Sequence, residues 1–270
     1  MLYRGVNSQR LYEKLEAYFK PDDCSDVFPK GLQHDNTDTV RFVYTSTFTG
    51  PEVFDFLKKE DARECLLFTH HPIPQRQGIN APPAAISESE LCFLKENKIS
   101  LFTYHIPLDK NGLYSPSNCL AAALSAEPYG EFYFQDNVFM GVLCRSEHKI
   151  TDELLAALEG AIGHKGKLYP YGDKELENGS FAVMAGGASD ESVYAELRQY
   201  GVNTLVTGMT NPSIEWLKPV HAEARKNKVN LIGATHYSSE KFSLISITGF
   251  FEDCGLPSRF IPETPRLEEL

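Results

Sequence analysis

Cys65-Leu66-Leu67-Phe68-Thr69-His70-His71-Pro72 is an apolar run that breaks off in two histidines and a proline. It reads as a strand that delivers polar side chains at its C-terminal end. Working outward, the chain alternates such runs with helical periods. Upstream, Leu11, Leu15 and Phe19 recur every fourth residue of a helix from Ser8 to Phe19 that Pro21 closes. Arg41 to Phe48 is strand-like, and Val53, Phe54 and Leu57 mark a second helix. Downstream, Ser87-Glu88-Ser89-Glu90 fits a capping box, in which Ser and Glu side chains satisfy each other's backbone amides, opening a helix to about Asn97. Ile99 to Tyr104 reads as strand, and Ser117 opens a short alanine-rich helix. Val138 to Cys144, Phe181 to Ala185, Thr204 to Thr207 and Val229 to Ile232 read as strands; Thr151 to Ile162, capped by its threonine, and Asp190 to Tyr200 read as helices. This alternation is the signature of an α/β protein.

An internal repeat lies at an offset of about 140 residues. Val43 to Thr47 aligns with Val183 to Gly187, and Val53, Phe54 and Leu57 align with Val193, Tyr194 and Leu197. Leu67 to His70 matches Leu205 to Gly208 two residues out of phase, so Gly208-Met209 stands where the first copy has His70-His71. The expected architecture is a duplicated three-layer α/β unit with mixed sheets. One domain is expected from residues 1–127 plus 225–270 and a related one from 128–224.

Twenty-six Lys and Arg against 37 Asp and Glu leave a formal charge of −11 over 270 residues, a poor footprint for nucleic acid or an anionic membrane. The longest apolar stretches, such as Phe242 to Phe251, fall short of the ~18 residues that cross a bilayer. Met1 to Val6 lacks the apolar run of a secretory leader, so the cytoplasm is the expected compartment. Six cysteines without a C-x-x-C pair read as reduced packing residues. No G-x-S-x-G, G-x-x-x-x-G-K-[ST] or G-x-G-x-x-G motif occurs, and Gly186-Gly187 is too short to signal a nucleotide site.

Three clusters of histidine and carboxylate remain. His70-His71 sits where Pro72 and Pro74 turn the chain out of its sheet, the one place where adjacent histidines of a strand reach a common cleft. His105-x-x-x-Asp109 follows another apolar strand, in a loop interrupted by Pro107, and Asp109 supplies a hard anionic oxygen. His236 and Glu240 stand four residues apart, on one face of a helix beginning about Tyr237 to Ser239. Each cluster also reads as a strand cap, a turn aspartate or a first-turn acid at a helix dipole. Together they lie at strand ends, where open α/β sheets assemble their sites. His70, His71, Asp109, His236 and Glu240 are too many donors for one tetrahedral zinc and suit two ions sharing a carboxylate and water. His105 fits best behind the ligands, as a proton shuttle. Arg76, Lys110 and Lys241 flank these motifs and read first as solvated charges, second as phosphate anchors.

With Leu67 to Pro72, Tyr104 to Asp109 and His236 to Glu240, the chain resembles the NGG-interacting-factor-three-like family, also labelled dinuclear metal centre hexameric proteins or GTP cyclohydrolase type 2 homologues. The likeness extends to Gly31-Leu32-Gln33, Asn118 to Ala121, Thr207-Gly208 and Phe260-Ile261-Pro262-Glu263. It implies two divalent ions on His70, His71, Asp109, His236 and Glu240, with Glu240 able to bridge and His105 close by. It also implies the duplicated fold and a ring-shaped homohexamer with metal sites facing an interior cavity. The family often carries Trp-Asp-Asn just before Gly-Leu-Gln; Val27-Phe28-Pro29-Lys30 departs from it.

The function expected is a metal-dependent hydrolase acting on a nucleotide, phosphoester or cyclic amide through a metal-bridged hydroxide. The ions expected are zinc, iron, manganese, cobalt or nickel, all of which suit imidazole with carboxylate. The alternative is a non-catalytic metal-binding or scaffold protein forming the ring.

Overall fold

The computed structural model describes residues 5–270. Met1 to Arg4, part of the stretch read as lacking a leader, lie outside the described residues. The chain divides into two compact units. The first runs to Gln77 and then over Ala81–Leu108 and Leu244–Glu263; the second comprises Gly78–Asn80, Asp109–Ser243 and Thr264–Leu270.

The first unit holds β1 (Val6–Asn7), α1 (Ser8–Phe19), β2 (Gly31–His34), β3 (Thr39–Val40), β4 (Phe42–Ser46), α2 (Pro51–Lys59), β5 (Cys65–Thr69), α3 (Glu88–Glu96) and β6 (Ile99–Thr103), followed by the short helix α4 (Ile106–Asp109). Then come α5 (Pro116–Ala123), β7 (Glu127–Gln135), β8 (Val138–Arg145), α6 (Thr151–Ile162), β9 (Lys167–Tyr169), β10 (Ser180–Met184), α7 (Ser192–Gln199), β11 (Thr204–Thr207), α8 (Lys218–Lys226) and β12 (Asn230–Gly233). Three last elements, α9 (His236–Ser246), α10 (Thr248–Asp253) and β13 (Ser258–Phe260), carry the chain back to the first unit.

The sheet of the first unit has the order β13-β4-β5-β6-β2, parallel except for β2. That of the second has the order β7-β8-β10-β11-β12-β9, in which β10, β11 and β12 are parallel while β8 and β9 run against them. The duplication lies in the repeated path. β4-α2-β5-α3-β6 and β10-α7-β11-α8-β12 each lay down three parallel strands, and an antiparallel strand closes the edge, β2 in one and β9 in the other.

The register of the repeat needs a correction. Ser46 pairs with Thr69 and Met184 with Thr207, so the strands repeat at 138 residues, the difference between 46 and 184 and between 69 and 207. The offset of 140 holds only for the helices, because the loop from β10 to α7 is longer than that from β4 to α2.

Every residue of Cys65–Thr69 and Ile99–Thr103 is buried, as parallel strands covered on both faces require. Side chains alternate across the sheet. Leu67 and Leu101 pack with Val53, Phe54 and Leu57 of α2 and Leu94 of α3. Phe68 and Phe102 face the other way, with Phe102 stacked on Tyr12 of α1 at 5.5 Å and Phe68 edge-on to Phe251 of α10 at 5.5 Å. These are the three layers of the first unit. In the second, Val183, Val206 and Ile232 pack with Leu120 of α5 and with Leu154, Leu158 and Ile162 of α6.

Four local expectations are corrected. The alanine-rich helix starts at Pro116 with Ser115 as its cap, since proline suits the first helical position; Ser117 instead donates to the Met140 carbonyl. Thr151 is the first residue of α6 rather than its cap, which is Ile150 without a side-chain bond. Asp109 ends the helical turn α4, which tolerates Pro107 near its start, and does not lie in an open loop. Cys92 is exposed, unlike the buried Cys24, Cys65, Cys119 and Cys144.

Candidate metal centre

At the end of β5 the chain stays in register for two more residues, His70 N–H donating to the Ser46 carbonyl at 3.3 Å and His71 N–H to that of Thr47 at 2.8 Å. It then turns away at Pro72. The two rings come to 4.4 Å between centroids, and His105, after β6, brings a third to within 5.2 Å of His70 and 4.9 Å of His71. One ligand atom from each of these histidines lies within 4.8 Å of the others.

Their rings are oriented by their partners. His70 is fully buried, and its Nδ1 lies 3.0 Å from the Tyr104 carbonyl oxygen. A carbonyl has no proton to give, so Nδ1 carries the hydrogen and Nε2 keeps its lone pair, the arrangement found in metal-bound imidazoles. His105 Nδ1 lies 2.9 Å from Oδ1 of Asp26, whose side chain is 1% exposed. Burial pushes the Asp26 carboxyl up, but the His105 hydrogen bond and charge, with the Phe28 and Ile106 amides, outweigh it and leave it below its ordinary value. The His71 ring is stacked on Phe48 at 4.5 Å and 10°. Glu263 Oε1 fixes that loop by accepting the Thr47 and Phe48 amides at 2.8 and 3.2 Å. Phe28, in the segment that departs from the family pattern, stands edge-on to His71 and His105 at 6.1 and 5.1 Å.

In the second unit α9 begins at His236, whose backbone N–H donates to Glu269 Oε2 at 2.7 Å. One turn on, Glu240 Oε1 lies 3.0 Å from His236 Nε2, and Glu240 is 3% exposed. Two glycines make room for this pair. Gly186 has φ +78°, and a methyl group there would stand 2.6 Å from Glu240 Oε1; one at Gly208 would stand 2.1 Å from the Gly186 carbonyl oxygen. The second copy of the repeat therefore has no space for a histidine where the first has His70. Asp109, half-buried, closes α4.

The structure thus brings His70, His71 and His105 together in one unit and pairs His236 with Glu240 in the other. Sequence reading missed Asp26 and Glu269, single acids without a motif, quoted Glu263 only within a family motif and without a role, and passed over Gly186, whose following Gly187 was the only signal. Of the flanking cations, Arg76 is exposed. Lys241 is no solvated charge: its Nζ donates to the Ile162 carbonyl at 2.8 Å, at the end of α6, and burial pushes its pKa down.

Fold and donor sets define a mixed α/β protein with histidine and carboxylate groups suited to metal at its strand ends. The chain belongs to the Duf34/NIF3 (NGG1p interacting factor 3) family, whose model matches residues 6–262. It is 29% identical over 160 residues to the GTP cyclohydrolase 1 type 2 homolog of Borreliella burgdorferi, a match spanning 59% of this chain and 60% of that one, less than two thirds of its length. The match to the homolog of the same name from Pseudomonas aeruginosa, at 24% identity over 261 residues, covers 92% and 97% of the two chains. The solved structure of protein ybgI, of unknown function, superposes with a TM-score of 0.79 at 20% identity, over 97% of this chain and 100% of that one. That likeness shows a shared fold.

Proposed function

We propose that His70, His71, Asp109, His236 and Glu240 together hold two divalent ions and that the protein is a metal-dependent hydrolase of a nucleotide, phosphoester or cyclic amide. The observation that carries this reading is the buried His70, held by the Tyr104 carbonyl in the tautomer that leaves Nε2 its lone pair, beside two further imidazoles. Imidazole with carboxylate suits zinc, iron, manganese, cobalt or nickel.

Such ions supply a Lewis acid that brings the pKa of water toward neutrality and polarises the bond under attack. The chain's own residues do the rest. Asp26 orients His105 through Nδ1, which leaves Nε2 to take or give a proton. Phe28 and Phe48 wall the histidines with apolar surface, which strengthens electrostatic interaction at the site. Assembly into a homohexamer is part of the proposal, and the exposed Phe134 and Phe139 on the hairpin of β7 and β8 support self-association.

The test is a hydrolysis screen of the metal-loaded protein over nucleotides, phosphoesters and cyclic amides. Turnover that falls at least 100-fold in His105→Ala, with metal retained, is the expected result. Full metal content with no turnover of any class would contradict the hydrolase and leave the scaffold reading in its place.

A further inference from the structure

The chain contains a single tryptophan, and the fold holds it at the surface. Trp216 lies in a helical turn, Glu215–Leu217, between the fully buried Ile214 and the 1% exposed Leu217, yet is itself 36% exposed. The turn is firmly built. The Asn80 side chain donates to the Ser213 carbonyl at 3.1 Å and accepts the Glu215 amide at 3.2 Å, acting like a paired strand residue. Asn211 Oδ1 accepts the Ser213 amide at 2.8 Å, and the Glu269 carbonyl accepts the amides of Thr210 and Asn211, both at 2.8 Å. The indole is thus held in a fixed turn with part of its surface open to solvent.

Its neighbours lead to the segment beside His236 and Glu240. A methyl group at Gly187 would stand 3.1 Å from Trp216 Cη2 and 3.4 Å from Met209 Cε, so indole and thioether lie against bare backbone. The preceding residue is Gly186, whose own added methyl would meet Glu240 Oε1 at 2.6 Å and His236 Nε2 at 3.6 Å. Consecutive Cα atoms are ~3.8 Å apart, so the indole edge and the candidate metal donors flank neighbouring residues of one short segment. A flat aromatic ring with a polarisable sulfur beside it is a stacking surface for another planar ring.

We infer that Trp216 and Met209 form a shelf on which a planar heterocyclic ring of the substrate, a nucleobase, stacks next to His236 and Glu240. This rests on the metal reading of those two residues, and it narrows the substrate class to nucleosides and nucleotides. Gly186 and Gly187 serve it together, one admitting the carboxylate and the other the indole.

Because Trp216 is the sole tryptophan, its emission reports on the shelf directly. Guanosine and GTP are expected to quench it saturably, while ribose 5-phosphate and inorganic phosphate leave it unchanged. Trp216→Ala should weaken GTP binding, measured by equilibrium dialysis, about ten-fold with metal content intact, and Trp216→Phe should recover most of the loss. Emission indifferent to guanosine, or Trp216→Ala binding GTP as tightly as the parent, overturns the inference. So does an emission shift that follows protein concentration instead of ring compound, since Trp216 would then be a self-association contact. Failure with two ions bound removes the shelf alone; ring binding by a chain that takes up no metal removes the metal reading alone.

Discussion

Glu269 closes the amino end of α9 from outside the helix, its Oε2 receiving the His236 amide at 2.7 Å. It does the work of an N-cap residue, though it lies 33 positions along the chain. Glu269→Ala is expected to lower unfolding free energy by about 1–2 kcal/mol in urea titration, and Glu269→Gln, which keeps an oxygen acceptor, by less. His221 shows a different kind of residue control. Its Nε2 donates to the Thr210 carbonyl at 2.7 Å, so Nδ1 accepts from the Tyr171 hydroxyl at 2.8 Å, and this second bond requires the neutral ring. Burial pushes its pKa below the ordinary value, Arg225 adds to this, and the Thr210 bond opposes it. The unfolded chain, with an ordinary histidine near ~6.5, then takes up a proton more readily than the folded one. The stability contributed by neutral His221 is complete above that value and is lost as pH falls through it toward the lower folded pKa. The urea midpoint should therefore drop below pH 6.5 more steeply in the parent than in His221→Phe; parallel curves would refute this.

Among the elements, the glycines separate close approach from mere permissiveness. Gly208→Ala would put a methyl group 2.1 Å from the Gly186 backbone, which cannot swing away as a side chain could. A loss of about 1–3 kcal/mol is expected, with disturbance of the His236 and Glu240 pair. Gly160, in α6 with nothing within 4 Å of an added methyl, is the contrast: Gly160→Ala should gain about 0.5–1 kcal/mol. Elements with a strong local signal were legible in the sequence. α1 spans Ser8–Phe19 as its period predicts, β5 spans Cys65–Thr69, and the capping box of Ser87 and Glu90 has both reciprocal bonds. Others carried no such signal. α8 buries only Val220, His221 and Ala224 amid charged residues, and β7 is largely exposed, so neither shows an apolar period.

For the molecule as a whole, the five proposed donors could be named as candidates from the sequence because each lies in a short motif that follows a strand. The acids that fix their surroundings were not legible as such. Asp26 reaches His105 across 79 positions, and no local pattern marks an acid whose partner is brought to it only by folding; Glu263 stood in a motif, but its reach to Thr47 across 216 positions was not legible there. The same reasoning explains the slipped repeat, since a helix offset cannot reveal a strand register set by pairing across the sheet. Among the described residues no helix is long and apolar enough to cross a membrane. The central claim is that the five proposed donors hold two ions, and metal content per chain tests it most directly. Elemental analysis of protein purified without chelator should find about two transition ions per chain, with at least one lost in His71→Ala and at least one lost in Glu240→Ala. Full metal content in both variants would contradict the account.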